Sequence, residues 1–196
     1  MNNIEQPRIV IAATNSGAGK TTITNGILAC LKELALNVQP YKIGPDYIDP
    51  GFHSLASKKQ CHNLDTWLVP SEKIKEIFLQ TATNSDIAVI EGVMGLYDGG
   101  TNGISSTATI AKLLQAPVVL VIDATFATPF NLDLKPYADI YVESLTKFAC
   151  GNADVLMGAI ILNENSKISL MSAEFFKHAD MPYIKDIQRL AYEIQN

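Results

Sequence analysis

Cysteine, positive charge and long apolar runs are all scarce in this chain, and each scarcity excludes a class of protein. Three cysteines among 196 residues cannot build the disulfide framework of a small secreted domain, so we predict a reducing, cytoplasmic location. No apolar run reaches the roughly 18 residues that a transmembrane helix needs, so we predict no membrane partner. The N-terminal residues also lack the basic and then apolar order of a signal peptide.

The charge balance is acidic and the composition is that of a folded protein. The sequence has 15 basic and 20 acidic side chains and a formal net charge of −5, which argues against nucleic acid as a partner. Hydrophobic residues make up 47% of the chain and charged residues only 18%, and this composition excludes intrinsic disorder. The length predicts that residues 1–196 form a single domain.

Short apolar runs alternate with amphipathic stretches along the chain. The runs are typical of strands buried on both faces of a parallel sheet. Apolar residues at steps of three and four, as at Ile23, Ile27 and Leu31, predict helices. We therefore predict an α/β fold, with a mostly parallel sheet and helices on both faces. The predicted strands are 9–13, 38–42, 87–90, 118–122 and 157–162, and the predicted helices are 20–36, 71–82 with Ser71 as its N-cap, 107–114, 137–148 and 170–177.

A glycine-rich segment joins the first predicted strand to the first predicted helix. Residues 14–22 follow the P-loop pattern, with Thr14 in place of the usual first glycine, although a plain turn is the open alternative. Glycines let successive N–H groups converge on phosphate oxygens, and the helix N-terminus adds partial positive charge. Lys20 would reach the β- and γ-phosphates, and the Thr21 hydroxyl is a typical Mg²⁺ ligand. We predict that a nucleoside triphosphate is bound by Asn15, Ser16, Gly17, Ala18, Gly19, Lys20, Thr21 and Thr22.

Two acidic segments follow other predicted strands and are expected at the same rim as the P-loop. Residues 41–53 contain Asp46, and residues 91–99 begin with Glu91. Ligands of open α/β sheets bind beyond the carboxyl ends of the strands, where a carboxylate is the usual partner of a phosphate-bound Mg²⁺. We therefore predict an Mg²⁺ site formed by Thr21, Asp46 and Glu91. Ordinary turns remain the alternative, because Gly-Pro-Asp and Asp-Gly are common turn sequences.

At these motifs the sequence resembles the N-terminal ATP-binding domain of the cobyrinic acid a,c-diamide synthase family. The Gly-Pro-Asp-Tyr-Ile-Asp-Pro stretch separates this group from dethiobiotin synthetase and cobyric acid synthase, which share the P-loop domain. The resemblance covers residues 8–123, is weak over 155–185 and fails over 124–154. The matching segments are 14–22, 41–50 with 52–53, 63–65, 91–99, 106–108 and 116–123.

The resemblance implies a carbon–nitrogen ligase of cobalamin biosynthesis with a P-loop NTPase-like, dethiobiotin synthetase-like fold. In this family ATP phosphorylates the a- and c-acetate carboxylates of a corrinoid or related tetrapyrrole, and ammonia displaces the phosphate. The implied cofactors are ATP and Mg²⁺, and a homodimer is the implied assembly. The resemblance implies catalytic roles for Lys20, Lys42, Asp46, Tyr47, Glu91 and Asp98, and an adenine contact for Asn163.

The family's full enzyme also carries a C-terminal glutamine amidotransferase domain, and the 196 residues contain no counterpart of it. We therefore expect a truncated or split synthetase that uses free ammonia or a separate glutaminase partner. Two alternatives stay open. The chain could be an ATP-binding module without catalysis, or a dethiobiotin synthetase-type enzyme that activates a carboxylate or carbamate.

Overall fold

The computed structural model describes residues 4–100, 104–127, 131–148, 150–151, 156–164 and 166. These residues form strands that alternate with helices along most of their length. The strands are β1 Arg8–Ala13, β2 Val38–Ile43, β3 His62–Leu64, β4 Ile87–Glu91, β5 Val118–Asp123, β6 Ile140–Ser144 and β7 Gly158–Leu162. The helices are α1 Lys20–Glu33, α2 Asp49–Ser57, α3 Ser71–Ala82 and α4 Thr107–Leu113.

The strands form one sheet in the order β3-β2-β4-β1-β5-β6-β7. The central strand β1 runs parallel to both neighbours, with Ile9 opposite Val89 of β4 and Ala12 opposite Leu120 of β5. At one edge β7 runs antiparallel to β6, while the other pairs are parallel, so the predicted mostly parallel sheet is confirmed. The carboxyl ends of β1, β2 and β4 consequently meet at one rim.

Successive residues of the central strands pack on opposite faces of the sheet. Val10 lies in a core with Phe78 of α3 and Ile110 of α4. Its neighbour Ile11 lies in a second core with Leu28 of α1. All five side chains are fully buried, because a strand enclosed by helices on both faces has no solvent side. The predicted helices on both faces are confirmed.

Residues 137–148 are not helical, so that prediction was wrong. Their central part forms β6, in which Tyr141 lies opposite Ile122 of β5 and Ile161 of β7. Ile140, Tyr141 and Val142 are β-branched or aromatic residues, which favour strands. The backbone groups of β6 are satisfied by two neighbouring strands, and this pairing outweighs the helical spacing of the apolar residues.

Three further differences concern helix starts and short elements. α2 and β3 were not predicted, because no secondary structure was assigned to the segment between β2 and α3. Pro70 occupies the N-cap position of α3, and Ser71 is its first helical residue, so the predicted Ser71 cap was wrong. The predicted helix 170–177 lies outside the described residues.

Among the described residues, no helix combines the length and the apolar composition required to cross a membrane.

Candidate functional site

The loop between β1 and α1 curls around the first turn of α1. Gly17 and Gly19 have φ angles of 79° and 83°, a left-handed backbone that glycine adopts without steric strain. Gly19 caps α1, so the unpaired N–H groups of the first turn are available to an anion. The Lys20 ammonium donates to the Asn15 carbonyl oxygen at 2.9 Å and is thereby held over the loop. Burial lowers the pKa of Lys20, and the nearby Glu91 charge opposes that shift.

A groove of about 430 Å³ opens beside this loop. Ala18 does not line it, because its methyl group is buried in the core beneath the loop. Asn15 lies at the exposed surface of the loop, where its amide donates to the Ser16 carbonyl oxygen at 2.7 Å. The structure therefore brings most of the predicted phosphate-binding residues together with the acidic rim. The groove is lined by Ser16, Gly17, Gly19, Lys20, Thr21, Thr22, Lys42, Asp46, Asp49, Glu91, Val93 and Met94.

Two carboxylates and a hydroxyl converge at the floor of this groove. The Thr21 hydroxyl donates to Glu91 Oε1 at 2.7 Å and lies 3.2 Å from Asp49 Oδ2. The Lys42 ammonium lies 2.7 Å from Asp49 Oδ2 and 3.0 Å from Glu91 Oε1. One cation thus bridges the two carboxylates that contact the P-loop threonine.

The charges of this cluster stabilise one another despite their burial. Burial alone would raise the pKa of Glu91, but the close contact with His53 and the charge of Lys42 outweigh it and lower the pKa. Burial alone would lower the pKa of Lys42, but its hydrogen bond to Asp49 and the charge of Glu91 raise it. Both groups are therefore charged at neutral pH.

The predicted metal ligand Asp46 lies beside this cluster rather than within it. Its Oδ1 accepts hydrogen bonds from the backbone N–H groups of Ile48 and Asp49, at 2.8 and 3.1 Å, and so caps the first turn of α2. Its Oδ2 is 3.8 Å from the Lys42 ammonium. The hydrogen bonds of Thr21 go to Asp49 and Glu91, and the role of Asp46 as a metal ligand remains a prediction.

Tyr47, Asp98 and Asn163 occupy three different environments. Tyr47 is 86% exposed and lies two residues before the start of α2. Asp98 Oδ2 accepts a hydrogen bond from the Gly95 N–H at 2.9 Å and shapes the loop after β4. The buried Asn163 amide donates to the carbonyl oxygens of Lys135 and Ala138, both at 2.7 Å, and does not line the groove. The adenine contact predicted for Asn163 remains a prediction.

Asp49, His53 and Asn25 belong to the site but were absent from the predicted functional residues. Asp49 and His53 lie one turn apart on α2, so they share a helix face. His53 Nε2 is 2.5 Å from Glu91 Oε2, and its Nδ1 is 2.7 Å from Asn25 Oδ1 of α1. Pro50 in the first turn of α2 is the sequence signal that could have revealed this helix.

The oxygen donors of the cluster suit a hard cation. Thr21, Asp49 and Glu91 offer one hydroxyl and two carboxylates, and Mg²⁺ bound to a nucleotide takes few protein ligands because phosphates and waters complete its shell. No group of three or more His, Cys, Asp or Glu side chains within the described ranges has the arrangement of an all-protein metal centre. The Lys42 ammonium shows that the two carboxylates accommodate positive charge between them.

Two curated relatives share long stretches with this chain. Hydrogenobyrinate a,c-diamide synthase of Streptomyces coelicolor is 55% identical over 160 residues, which are 81% of this chain and 31% of the relative. Cobyrinate a,c-diamide synthase of Dehalococcoides mccartyi is 52% identical over 119 residues, 60% of this chain and 26% of the relative. The chain thus spans about a quarter to a third of the length of these relatives.

A family model described as "Cys/Met metabolism PLP-dependent enzyme" matches residues 52–180. That span begins inside α2 and omits β1, the central strand, together with the P-loop. In enzymes that use pyridoxal phosphate (PLP), the lysine that forms a Schiff base with the cofactor lies in a pocket from which water is excluded. Within the described part of the span, Lys59 is half-buried and the other lysines are exposed. None of these lysines has the buried environment of a PLP-binding lysine, so the structure does not support this match. The exposed lysines are Lys58, Lys73, Lys75, Lys112, Lys135 and Lys147.

Among solved structures, the hydrogenase maturation factor HypB of Archaeoglobus fulgidus has a TM-score of 0.44 and 12% identity, covering 70% of this chain and 80% of its own. The fold assignment rests instead on the strand order and the P-loop of this chain.

The identity of more than half of the residues in the stretches shared with the curated relatives shows that the chain belongs to the cobyrinate a,c-diamide synthase family.

Proposed function

We propose that this chain is the ATP-binding part of an enzyme that converts acetate carboxylates of cobyrinate, or of a related tetrapyrrole, into amides. The observation that carries the proposal is the convergence of Lys20, Lys42, Asp49 and Glu91 on one groove beside the P-loop. Two cations and a set of oxygen ligands suit a reaction that brings a triphosphate and a substrate carboxylate together. The names of the relatives supply the substrate class.

The proposed reaction has two steps. A carboxylate oxygen of the substrate attacks the γ-phosphorus of ATP, the bond from that phosphorus to the β–γ bridging oxygen breaks, and ADP leaves. The nitrogen of ammonia then attacks the acyl carbon, the carbon–oxygen bond to phosphate breaks, and the nitrogen loses one proton to give the amide. The first step places a good leaving group on an otherwise unreactive carboxylate.

Four of the predicted catalytic residues have the following roles in this proposal. Lys20 binds the β- and γ-phosphates and neutralises charge that develops during transfer. Lys42, which also lines the groove, contributes positive charge to the incoming carboxylate. Tyr47 and Asp98 contact the substrate or help to deliver ammonia, and the exposed ring of Tyr47 is accessible to a large macrocycle.

Thr21, Asp49 and Glu91 would hold Mg²⁺ in this proposal. When bound, the ion supplies charge neutralisation at the phosphate oxygens. Asp49 replaces the predicted Asp46 in this set, because Asp49 lies within hydrogen-bond distance of Thr21 and Asp46 caps α2 instead.

A second groove of about 340 Å³ adjoins the other side of the P-loop, and we assign it to the nucleoside. It reaches from Gly17 and Thr22 to β6 and β7, at Glu143 and Gly158.

Free ammonia or a separate glutaminase would supply the nitrogen, and a homodimer is the proposed assembly.

The test is ATP turnover by this chain with cobyrinic acid, Mg²⁺ and ammonium chloride, with mass spectrometry for one or two added amides. We expect amidated product from the wild type and from Glu72→Gln, an exposed control, and none from Glu91→Gln. ATP binding without product would favour an ATP-binding module. Turnover with a diamino acid and CO₂ would favour the dethiobiotin synthetase type. Either result would overturn the proposal.

A further inference from the structure

A buried polar chain runs behind the groove, from α1 through α2 to β4. His53 of α2 is fully buried, and its ring lies between Asn25 of α1 and Glu91 of β4. The distances are 2.7 Å from Nδ1 to Asn25 Oδ1 and 2.5 Å from Nε2 to Glu91 Oε2. His53 does not line the groove, so it reaches a ligand there only through Glu91.

The two oxygens of Glu91 have separate partners. Oε1 faces the groove, where it contacts the Thr21 hydroxyl and the Lys42 ammonium. Oε2 faces the interior, where His53 is its neighbour. A carboxylate held at one oxygen cannot rotate freely, so the contact at Oε2 fixes the direction in which Oε1 points.

α2 contributes to both ends of this arrangement. Asp49 at its start contacts Thr21 and Lys42, and His53 one turn later contacts Glu91. Asn25 in turn holds the imidazole ring from α1, the helix that begins with the P-loop lysine. The position of Glu91 is therefore linked to both helices that border the groove.

We propose that His53 is a positioning residue that orients Glu91 toward a nucleotide-bound Mg²⁺, with Asn25 holding the ring of His53. The inference rests on the proposed metal site of Thr21, Asp49 and Glu91. Partners of this kind, behind a metal-binding carboxylate, are worth about 10- to 100-fold in metal affinity.

The test compares His53→Asn with His53→Gln in a titration of a fluorescent ATP analogue at increasing Mg²⁺ concentrations. A glutamine amide reaches the position of Nε2 and can still donate to Glu91, whereas an asparagine amide reaches only the position of Nδ1. We expect His53→Asn to raise the half-saturating Mg²⁺ concentration by about 10- to 100-fold, and His53→Gln to restore it largely. Affinity measured in EDTA should stay the same for both variants.

Thermal unfolding checks that each variant is folded, and Asn25→Leu serves as a milder variant if His53→Asn is not. We expect Asn25→Leu to raise the Mg²⁺ requirement at the lower end of the same range. A wild-type Mg²⁺ requirement in folded His53→Asn, or equal losses in the two His53 variants, would overturn the inference. Glu91→Gln separates the two proposals. If it leaves the Mg²⁺ requirement unchanged, the metal site itself is wrong.

Discussion

Lys42 lies directly opposite Glu91 in the pairing of β2 with β4, and their side chains form an ion pair at 3.0 Å. The Lys42 side chain is 5% exposed and that of Glu91 is fully buried. The register of two parallel strands therefore places a buried cation and a buried anion side by side at the rim beside the P-loop. Asp49 joins them from α2, so the site depends on the sheet and on this helix together.

Lys42→Met should destabilise the fold strongly, because it leaves Glu91 buried without its cation. Removing one partner of a buried pair costs about 3–5 kcal/mol in the free energy of unfolding. Lys73→Met is the matched control, since Lys73 pairs with Glu76 at an exposed site where the loss is about 0–1 kcal/mol. Urea unfolding of both variants measures the difference. Equal losses would contradict the buried character of the Lys42 pair.

Stability should fall in acid because the pKa of Glu91 is lower in the folded than in the unfolded chain. As the pH falls, Glu91 is protonated in the unfolded chain before it is protonated in the folded chain. The stability that Glu91 contributes is therefore fully present above its ordinary pKa of 4.5 and is lost as the pH falls through the lowered pKa of the folded chain. Lys42 has a raised pKa, so its contribution is lost only as pH rises above 10.5. Urea midpoints at several pH values below 5 should fall less steeply in Glu91→Gln than in the wild type. Parallel slopes would argue against Glu91 as a source of the acid sensitivity.

The two aspartates of the α2 segment should respond differently to amidation of their side chains. Asp49→Asn should raise the Mg²⁺ concentration required for ATP binding, because Asp49 contacts Thr21 directly. Asp46→Asn should change that concentration little, because the hydrogen bonds of Thr21 do not reach Asp46 and an asparagine oxygen still accepts the N–H groups of Ile48 and Asp49. A larger effect of Asp46→Asn on the Mg²⁺ requirement would restore the original assignment of Asp46 to the metal.

Gly95→Ala should disturb the P-loop through a steric clash. A Cβ atom at Gly95 would lie 2.5 Å from the Thr14 carbonyl oxygen and 2.7 Å from Asp98 Oδ2. The expected loss is about 1–3 kcal/mol, with weaker ATP binding. Gly26→Ala is the control, because a Cβ there meets nothing within 4 Å and alanine should stabilise α1 by about 0.5–1 kcal/mol. A similar decrease in melting temperature for both variants would contradict this account.

Phe78→Ala should test the core beneath the site. Phe78 is fully buried on α3, and its ring lies 5.2 Å from that of Tyr41 in β2. The loss should be about 3–5 kcal/mol. Leu79→Ala, one residue along the same helix and 49% exposed, should cost about 0.5 kcal/mol or less. Denaturant unfolding of the two variants checks this, and a small loss for Phe78→Ala would mean that this part of the core is loosely packed.

The sequence reveals the parts of the site that depend on local pattern. Gly17, Gly19 and Lys20 follow a fixed spacing, and Glu91 ends an apolar run, so their placement at one rim could be predicted. The helix α2 was missed because its short amphipathic pattern follows directly on a turn sequence. A helix was wrongly predicted for residues 137–148, because their apolar residues have helical spacing. Pairing with the neighbouring strands β5 and β7 makes the central part a strand instead.

The sequence alone determined the α/β class, the P-loop and the family resemblance, because periodicity and motif spacing are local properties of the chain. Tertiary structure decided which carboxylate meets Thr21 and which side chain lies behind Glu91. Those contacts join α1, α2 and β4 across long sequence separations, as when Thr21 meets Glu91 and His53 meets Asn25. They depend on strand order and helix packing, which are properties of the assembled fold that no local pattern contains.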